Sequence, residues 1–318
     1  MIDAETIDLH PRYHLLHLIA RGGMGAIYQA EQRGTNGFRK VVALKRLRRE
    51  LLEDPESTAL FVGEAVLVAD LIHENIVQVY HLEQLPSGEF VIAMEYVAGR
   101  NLAEIQDRLN ALGRTMPPEL AAFVASRVCR GLAYAHKKRD AAGRRLKIVH
   151  RDVTPSNVLV SFAGGVKIAD FGIAKAMNLD GPDEREVIHG KFPYMAPEIA
   201  RFEGSDARSD IYALGLVLHE LLTGRRVFEA TSRAQLVERL ETDPIPRPRS
   251  FDPHIPMALD SIAIRATQVA PEDRFESADE MGHALELAIS EQGAGPTAET
   301  LAAFIAPLFP EVRKHAAG

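Results

Sequence analysis

The feature that most constrains this chain is a change of hydrophobic rhythm near Gly99. Before it, residues 13–19, 26–32, 41–47, 76–82 and 90–96 read as strands, several of them rich in β-branched or aromatic side chains. One stretch breaks that pattern. Across 56–71, Leu60, Phe61, Ala65, Val68 and Leu71 recur at helical spacing. After Gly99 the period turns helical. Pro117-Pro118-Glu119 opens a helix whose Leu120, Phe123, Val124, Val128, Leu132 and Ala135 form one apolar stripe. Residues 211–222 read as a buried helix closed by Gly224. The expectation is an α+β chain: a small β-rich lobe with one main helix, then a larger α-helical lobe, with 97–101 as the hinge.

Composition removes several classes of function. The 318 residues are 46% hydrophobic and 25% charged, ordinary globular usage, with neither repeats nor low-complexity blocks. A formal net charge of -7 lacks the broad positive field that holds nucleic acid. One cysteine, Cys129, excludes an intramolecular disulfide and any cysteine-based zinc site, and the 12 histidines show no metal spacing. No stretch approaches the ~18–20 apolar residues of a membrane span, and 1–11 carries Asp3, Glu5 and Asp8 without an apolar signal core. The expected setting is soluble and cytoplasmic, without membrane insertion.

Three segments carry chemistry. Ile19-Ala20-Arg21-Gly22-Gly23-Met24-Gly25-Ala26-Ile27 lies between two strand segments. Backbone approaches a polyphosphate closely where side chains are missing, although a plain hairpin turn would look the same. Its place between strands argues against a dinucleotide fold, which needs a helix after the loop. Next, Val42-Ala43-Leu44-Lys45 puts an ammonium on an apolar strand, where it needs an anion unless it snorkels to water. Glu64, among the apolar positions of the following helix, is a fitting counter-charge. Third come His150-Arg151-Asp152 with Asn157, then Asp170-Phe171-Gly172, each beside short apolar strands. Two carboxylates and an amide suit magnesium, which prefers hard oxygen ligands and keeps several waters, and a hydroxyl nucleophile.

In this order the segments resemble the protein kinase family, specifically the bacterial eukaryotic-like (Hanks-type) Ser/Thr kinases. The resemblance runs from about residue 13 to 287 and continues through Ala196-Pro197-Glu198, Asp210-Ile211-Tyr212-Ala213-Leu214-Gly215 and Pro271-Glu272-Asp273-Arg274-Phe275. It implies ATP and Mg2+, a protein substrate, and a two-lobed kinase fold. Lys45, paired with Glu64, would hold the α- and β-phosphates beneath the loop 19–27. Asp152 would orient the acceptor hydroxyl and take its proton, while Asn157 and Asp170 would ligate magnesium. Met94 would line the adenine pocket, and the Glu95 carbonyl and Val97 amide would bond the adenine edge. Glu198 with Arg274 resembles the buried ion pair under the substrate-side loop, and Asp210 the carboxylate that steadies the catalytic loop. Arg151 stands where family members often read a loop phosphate. The division implied is 1–12 extension, 13–97 small lobe, 98–290 large lobe and 291–318 helical tail.

Three departures bear on activity. Ala20 occupies the first glycine position of the loop. Thr154 stands where the family has lysine, and Lys191 where it has threonine. A compensated exchange would bring the Lys191 ammonium to the γ-phosphate; otherwise Lys191 points to solvent and the site is slow. Between 173 and 195 there is no Ser or Thr, so activity should not require loop phosphorylation. Asp183, Glu184 and Glu186 would serve as fixed anions toward Arg151, or else form a solvated acidic loop. The alternative to an active enzyme is a pseudokinase, a nucleotide-binding or scaffolding module, which Ala20 and Thr154 keep open.

Two further segments have two readings each. The basic stretch 137–147 is a solvated hairpin-like insertion or a dock for an acidic partner. In the tail, Leu301, Phe304, Ile305, Leu308 and Phe309 recur at helical spacing before a break at Pro307. That face packs back on the large lobe or docks a protein partner.

Overall fold

Segments rich in β-branched and aromatic residues build a five-stranded antiparallel sheet from β1 (Arg12–Arg21), β2 (Gly25–Arg33), β3 (Arg39–Leu47), β4 (Val79–Gln84) and β5 (Phe90–Glu95). The strand order is β1-β2-β3-β5-β4. This computed structural model describes residues 12–22, 25–47, 54–85, 87–171, 192–291 and 295–310. In the central strand β3, Val42, Ala43 and Leu44 are all buried, so it is covered on both faces. Ala30, Val42, Leu44 and Val91 make a small core, with Tyr13 and Leu85 packed against it. The one α-helix among the described residues of this part, α1 (Pro55–Ala69), buries Phe61, Ala65 and Val68 at the expected spacing and packs against β4 and β5.

Contacts divide the chain into two compact units: Met1–Ala69 with Gln78–Tyr96, and Asp70–Val77 with Val97–Gly318. The division corrects the strand expected over 76–82. Ile76 makes only an isolated parallel bridge to Ile168, and the strand proper begins at Val79. The reason lies in the backbone: Ile168 N donates to Asn75 O and Val77 N to Ile168 O, so 75–77 is held by the second unit.

That unit opens with β6 (Gly99–Asn101), which pairs with β7 (Val158–Ser161), itself paired with β8 (Val166–Ile168). Part of the expected hinge is therefore strand. Asn101 then starts α2 (Leu102–Ala111) through a capping box with Glu104. The following helix, α3 (Pro118–Lys137), corrects the single-stripe reading. It is buried almost all round, because Ala121, Ala122, Ala125, Ser126, Gly131 and Ala133 also face packed neighbours. A Cβ on Gly131 would sit 2.9 Å from Asn75 O, so small residues here are close-approach positions. After α4 (Pro197–Ala200), the helix α5 (Ala207–Thr223) is buried from Ser209 to Thr223 and ends at Gly224, whose φ of 71° needs glycine. Helices α6 (Arg233–Thr242), α7 (Met257–Ala266), α8 (Ala278–Ser290) and α9 (Ala298–Ile305) complete the described part. Among the described residues no helix is long and apolar enough to cross a membrane.

The stretch 137–147 is a turn closed on itself. Arg139 and Arg145 form an antiparallel bridge, and the Asp140 carboxylate accepts from Ala142 N and Arg144 N. Lys137 pairs with Asp279, Lys138 donates to Asp70 O, and Arg139 donates to Gly143 O. Of its six basic side chains, Lys137 and Arg144 meet carboxylates, those of Asp279 and Asp140.

Candidate active site

In the first unit, Lys45 lies on β3 between Ile27 of β2 and Ile92 of β5 and is half-buried. Ile19, Ala20 and Arg21 end β1, and Gly25, Ala26 and Ile27 begin β2. Gly22 N donates to Gly25 O at 2.8 Å, which closes the turn. The two glycines differ in kind. A Cβ on Gly25 would fall 2.1 Å from Arg46 O, whereas on Gly22 its nearest neighbour would be 3.9 Å away. Ala20 pairs with Ile27 in the ladder and has no positive φ, so its methyl adds no backbone strain. Met94 is buried on β5, and Glu95 N donates to Gln78 O at 2.8 Å. Gly23, Met24, Gly172, Lys191 and the acids 183–186 lie outside the described residues, as does the Glu64 side chain proposed for Lys45; Glu64 itself falls within α1.

The second unit brings Asp152, Asn157 and Asp170 together. Asn157 Nδ2 donates to Asp152 O at 2.9 Å and to Asp152 Oδ2 at 3.0 Å. Ala169 N donates to Asn157 O at 2.9 Å, which sets Asp170 beside that pair. Asp152 is buried, and its amide donates to His150 Nδ1 at 3.2 Å. His150 Nε2 lies 3.1 Å from Ala169 O, so the ring is a neutral imidazole carrying its proton on Nε2. Burial holds its pKa below the ordinary histidine value, against the pull of Asp210 and Asp152. The ring also packs on Phe171, centroids 4.4 Å apart. Arg151 and Asp170 have φ of 60° and 57°, conformations that side chains rarely adopt and that the surrounding bonds must maintain.

Those bonds come mainly from α5. The Asp210 carboxylate, fully buried, accepts from His150 N at 2.7 Å, Arg151 N at 2.8 Å and His136 Nε2 at 2.8 Å. Burial alone would raise its pKa; the hydrogen bonds and the charges around it lower it on balance. Arg151 Nε donates to Ser205 Oγ at 2.8 Å. Nearby, Arg274 forms a fork with Glu198, at 2.9 and 2.8 Å, and donates to the carbonyls of Arg208, Gln268 and Val269. All five guanidinium hydrogens are thereby satisfied in a buried position. Ser209 Oγ adds a bond to Glu198 at 2.6 Å.

The donor set fits a hard divalent cation. Asn157 turns its amide nitrogen onto Asp152, so its side-chain carbonyl oxygen, with the Asp170 carboxylate, would be the atom to hold such a cation. Sequence reasoning missed His136, Ser205, Ser209 and the buried cluster in which Tyr194 OH donates to Glu220 and Arg226 approaches it at 3.5 Å. The one available signal was a histidine in the last turn of an apolar helix; the serines carry none.

Comparison with known proteins now identifies the class. Residues 13–284 match the protein kinase domain family, and the chain belongs to it. It is 37% identical over 301 residues to the tyrosine-protein kinase MasK of Myxococcus xanthus, covering 95% of this chain and 46% of that one. It is 34% identical over 270 residues to the serine/threonine-protein kinase PrkC of Bacillus subtilis, covering 85% and 39%. Among solved structures, the Mycobacterium tuberculosis PknI kinase domain matches with a TM-score of 0.63 at 27% identity, over 87% of this chain and 95% of that one. The chain thus spans less than half the length of these curated relatives.

Proposed function

We propose that this chain is an active kinase that moves the γ-phosphoryl group of ATP to Ser or Thr hydroxyls of protein substrates. The observation that carries this reading is the Asp152–Asn157–Asp170 cluster, held by His150 from within the loop and by Asp210 from α5. Asp152 orients the acceptor hydroxyl and receives its proton as the oxygen attacks phosphorus. Lys45 and the backbone of residues 19–27 hold the phosphates; Glu95 and Val97 bind the adenine edge. Asn157 and Asp170 hold magnesium, which supplies neutralisation of the charge on the phosphates. Glu64, Arg151, Glu198, Asp210 and Arg274 support these groups without touching the reacting atoms. Most of the rate enhancement comes from positioning.

The functional division follows the same reading: 13–97 and 98–290 form the two lobes, with 1–12 and 291–318 appended. The cytoplasm, where ATP is plentiful, is the place of action. Activity proceeds without a loop phosphate. In support, 173–195 has no Ser or Thr, Tyr194 is buried with its hydroxyl on Glu220, and Arg151 already has Ser205. Lys191 replaces the lysine missing at Thr154.

A second acceptor has a specific observation behind it. Thr154 departs from the Ser/Thr kinase pattern, and one of the relatives at this level of identity is named a tyrosine-protein kinase. Phosphoamino-acid analysis of products from labelled ATP decides between them. Phosphoserine or phosphothreonine, absent with Asp152→Asn, is the expected result. Phosphotyrosine alone would move the assignment to the second acceptor, and no transfer with intact nucleotide binding would make the chain a pseudokinase.

A further inference from the structure

The segment 298–309 lies beyond the family match, which ends at 284, yet its apolar face is already covered. Leu301, Ile305 and Leu308 are fully buried and Phe309 nearly so. The covering surface is the edge of the β6-β7-β8 sheet and α2. Arg108 Nε donates to Leu308 O at 3.0 Å. The Arg100 guanidinium on β6 sits 5.3 Å from the Phe309 ring and 5.8 Å from the Phe162 ring, and the two rings meet edge-on at 6.4 Å. The segment also meets the turn between β7 and β8. Gly164 has a φ of 82°, and a Cβ there would lie 1.8 Å from Ala298 O. The turn therefore rests directly on the first residue of α9.

What that turn belongs to gives the contact its consequence. β7 starts immediately after Asn157, and β8 ends two residues before Asp170. The hairpin is stiff, with Gly164 N donating to Ser161 O, Ser161 N to Gly165 O, and Phe162 N to Ala98 O. A stiff hairpin moves as one piece, so a displacement at its tip shifts both oxygen ligands at its base together.

We propose that 298–309 is a strap that positions the β7–β8 hairpin and, through it, Asn157 and Asp170 for the divalent cation, with Phe309 and Phe162 as its positioning residues. The inference rests on the assignment of Asn157 and Asp170 as cation ligands made above. A passive cap would stabilise the whole second unit evenly; a strap acts on the cation site first.

The test uses the full chain with Phe309→Ala, Phe309→Leu and the milder Arg108→Ala. Calorimetry with a non-hydrolysable ATP analogue measures the Mg2+ concentration for half-saturation, and hydrogen exchange follows the amides of 158–168 and of α5. Phe309→Ala, which acts through the hairpin and not on a ligand directly, should raise the Mg2+ midpoint by about threefold, below the roughly tenfold low end for groups that bond metal ligands themselves. Exchange should quicken in 158–168 with α5 unchanged, Phe309→Leu should restore most of the midpoint, and Arg108→Ala should move it in the same direction by less. An unchanged midpoint in protein whose α5 amides stay protected overturns the strap alone. Equal loss of protection in both regions also overturns it, in favour of a passive cap, and Arg108→Ala checks this if Phe309→Ala does not fold. Wild-type protein that binds the analogue equally with and without Mg2+ defeats the ligand assignment itself, and the strap with it.

Discussion

Single side chains decide where the Asp152 carboxylate sits, and their charge states follow from burial and from the bonds and charges around them. His150 is neutral because burial depresses its pKa, and neutrality keeps Nδ1 as the acceptor for the Asp152 amide. A base with a depressed folded pKa contributes stability fully above its unfolded value, 6.5, and loses it as pH falls below that toward the folded value. Thermal unfolding midpoints should therefore begin to drop below pH 6.5, and His150→Gln should flatten that part of the curve. Glu198 behaves as a carboxylate of the opposite charge type. Burial would raise its pKa, but the bonds from Arg274 and Ser209 outweigh it and leave the net value lowered. Its contribution is full above the unfolded value of 4.5 and vanishes as acid takes the pH through the lower folded value. Removing the partner is more severe at any pH. Arg274→Ala strands a half-buried carboxylate and should cost about 3–5 kcal/mol in denaturant unfolding. Arg274→Lys should recover little of it, since one ammonium cannot replace five fixed donors.

Elements were legible where hydrophobic spacing is strict and became obscure where small residues do the packing. The strands of the first sheet follow from runs rich in β-branched and aromatic residues, the fourth only from Val79 onward, and α1 from the spacing of Phe61, Ala65 and Val68. α3 was read too narrowly because Ala and Gly carry little hydrophobic signal, although their lack of bulk lets neighbouring backbone come close. The loop residues at Asp152, Asn157 and Asp170 were visible as an ordered set. His136 and Ser205 were not, because their partners are distant in sequence and one hydroxyl or imidazole leaves no pattern. The glycine loop offers a contrast that only the fold reveals. Gly25→Ala drives a methyl into the Arg46 carbonyl, so it should disrupt the β2–β3 ladder and lower the melting temperature, whereas Gly22→Ala should change stability by less than about 0.5 kcal/mol. Circular dichroism melts of the two variants check this, and equal losses would contradict it.

At the scale of the whole molecule, a family domain over 13–284 carries a packed C-terminal segment of its own, in a chain shorter than half of its curated relatives. Each compact unit contributes what its chemistry suits: a lysine on a central strand in the first, and a hydrogen-bonded carboxylate–amide cluster in the second. The central claim is that Asp152 performs proton transfer in a phosphoryl-transfer reaction. Single-turnover transfer from γ-labelled ATP to a mixed Ser/Thr peptide library, with wild type and Asp152→Asn at equal nucleotide occupancy, tests it most directly. The account predicts that the variant binds ATP normally and transfers phosphate about 10²–10⁴-fold more slowly, the span of a positioned general base. Equal transfer rates for the two proteins would contradict it.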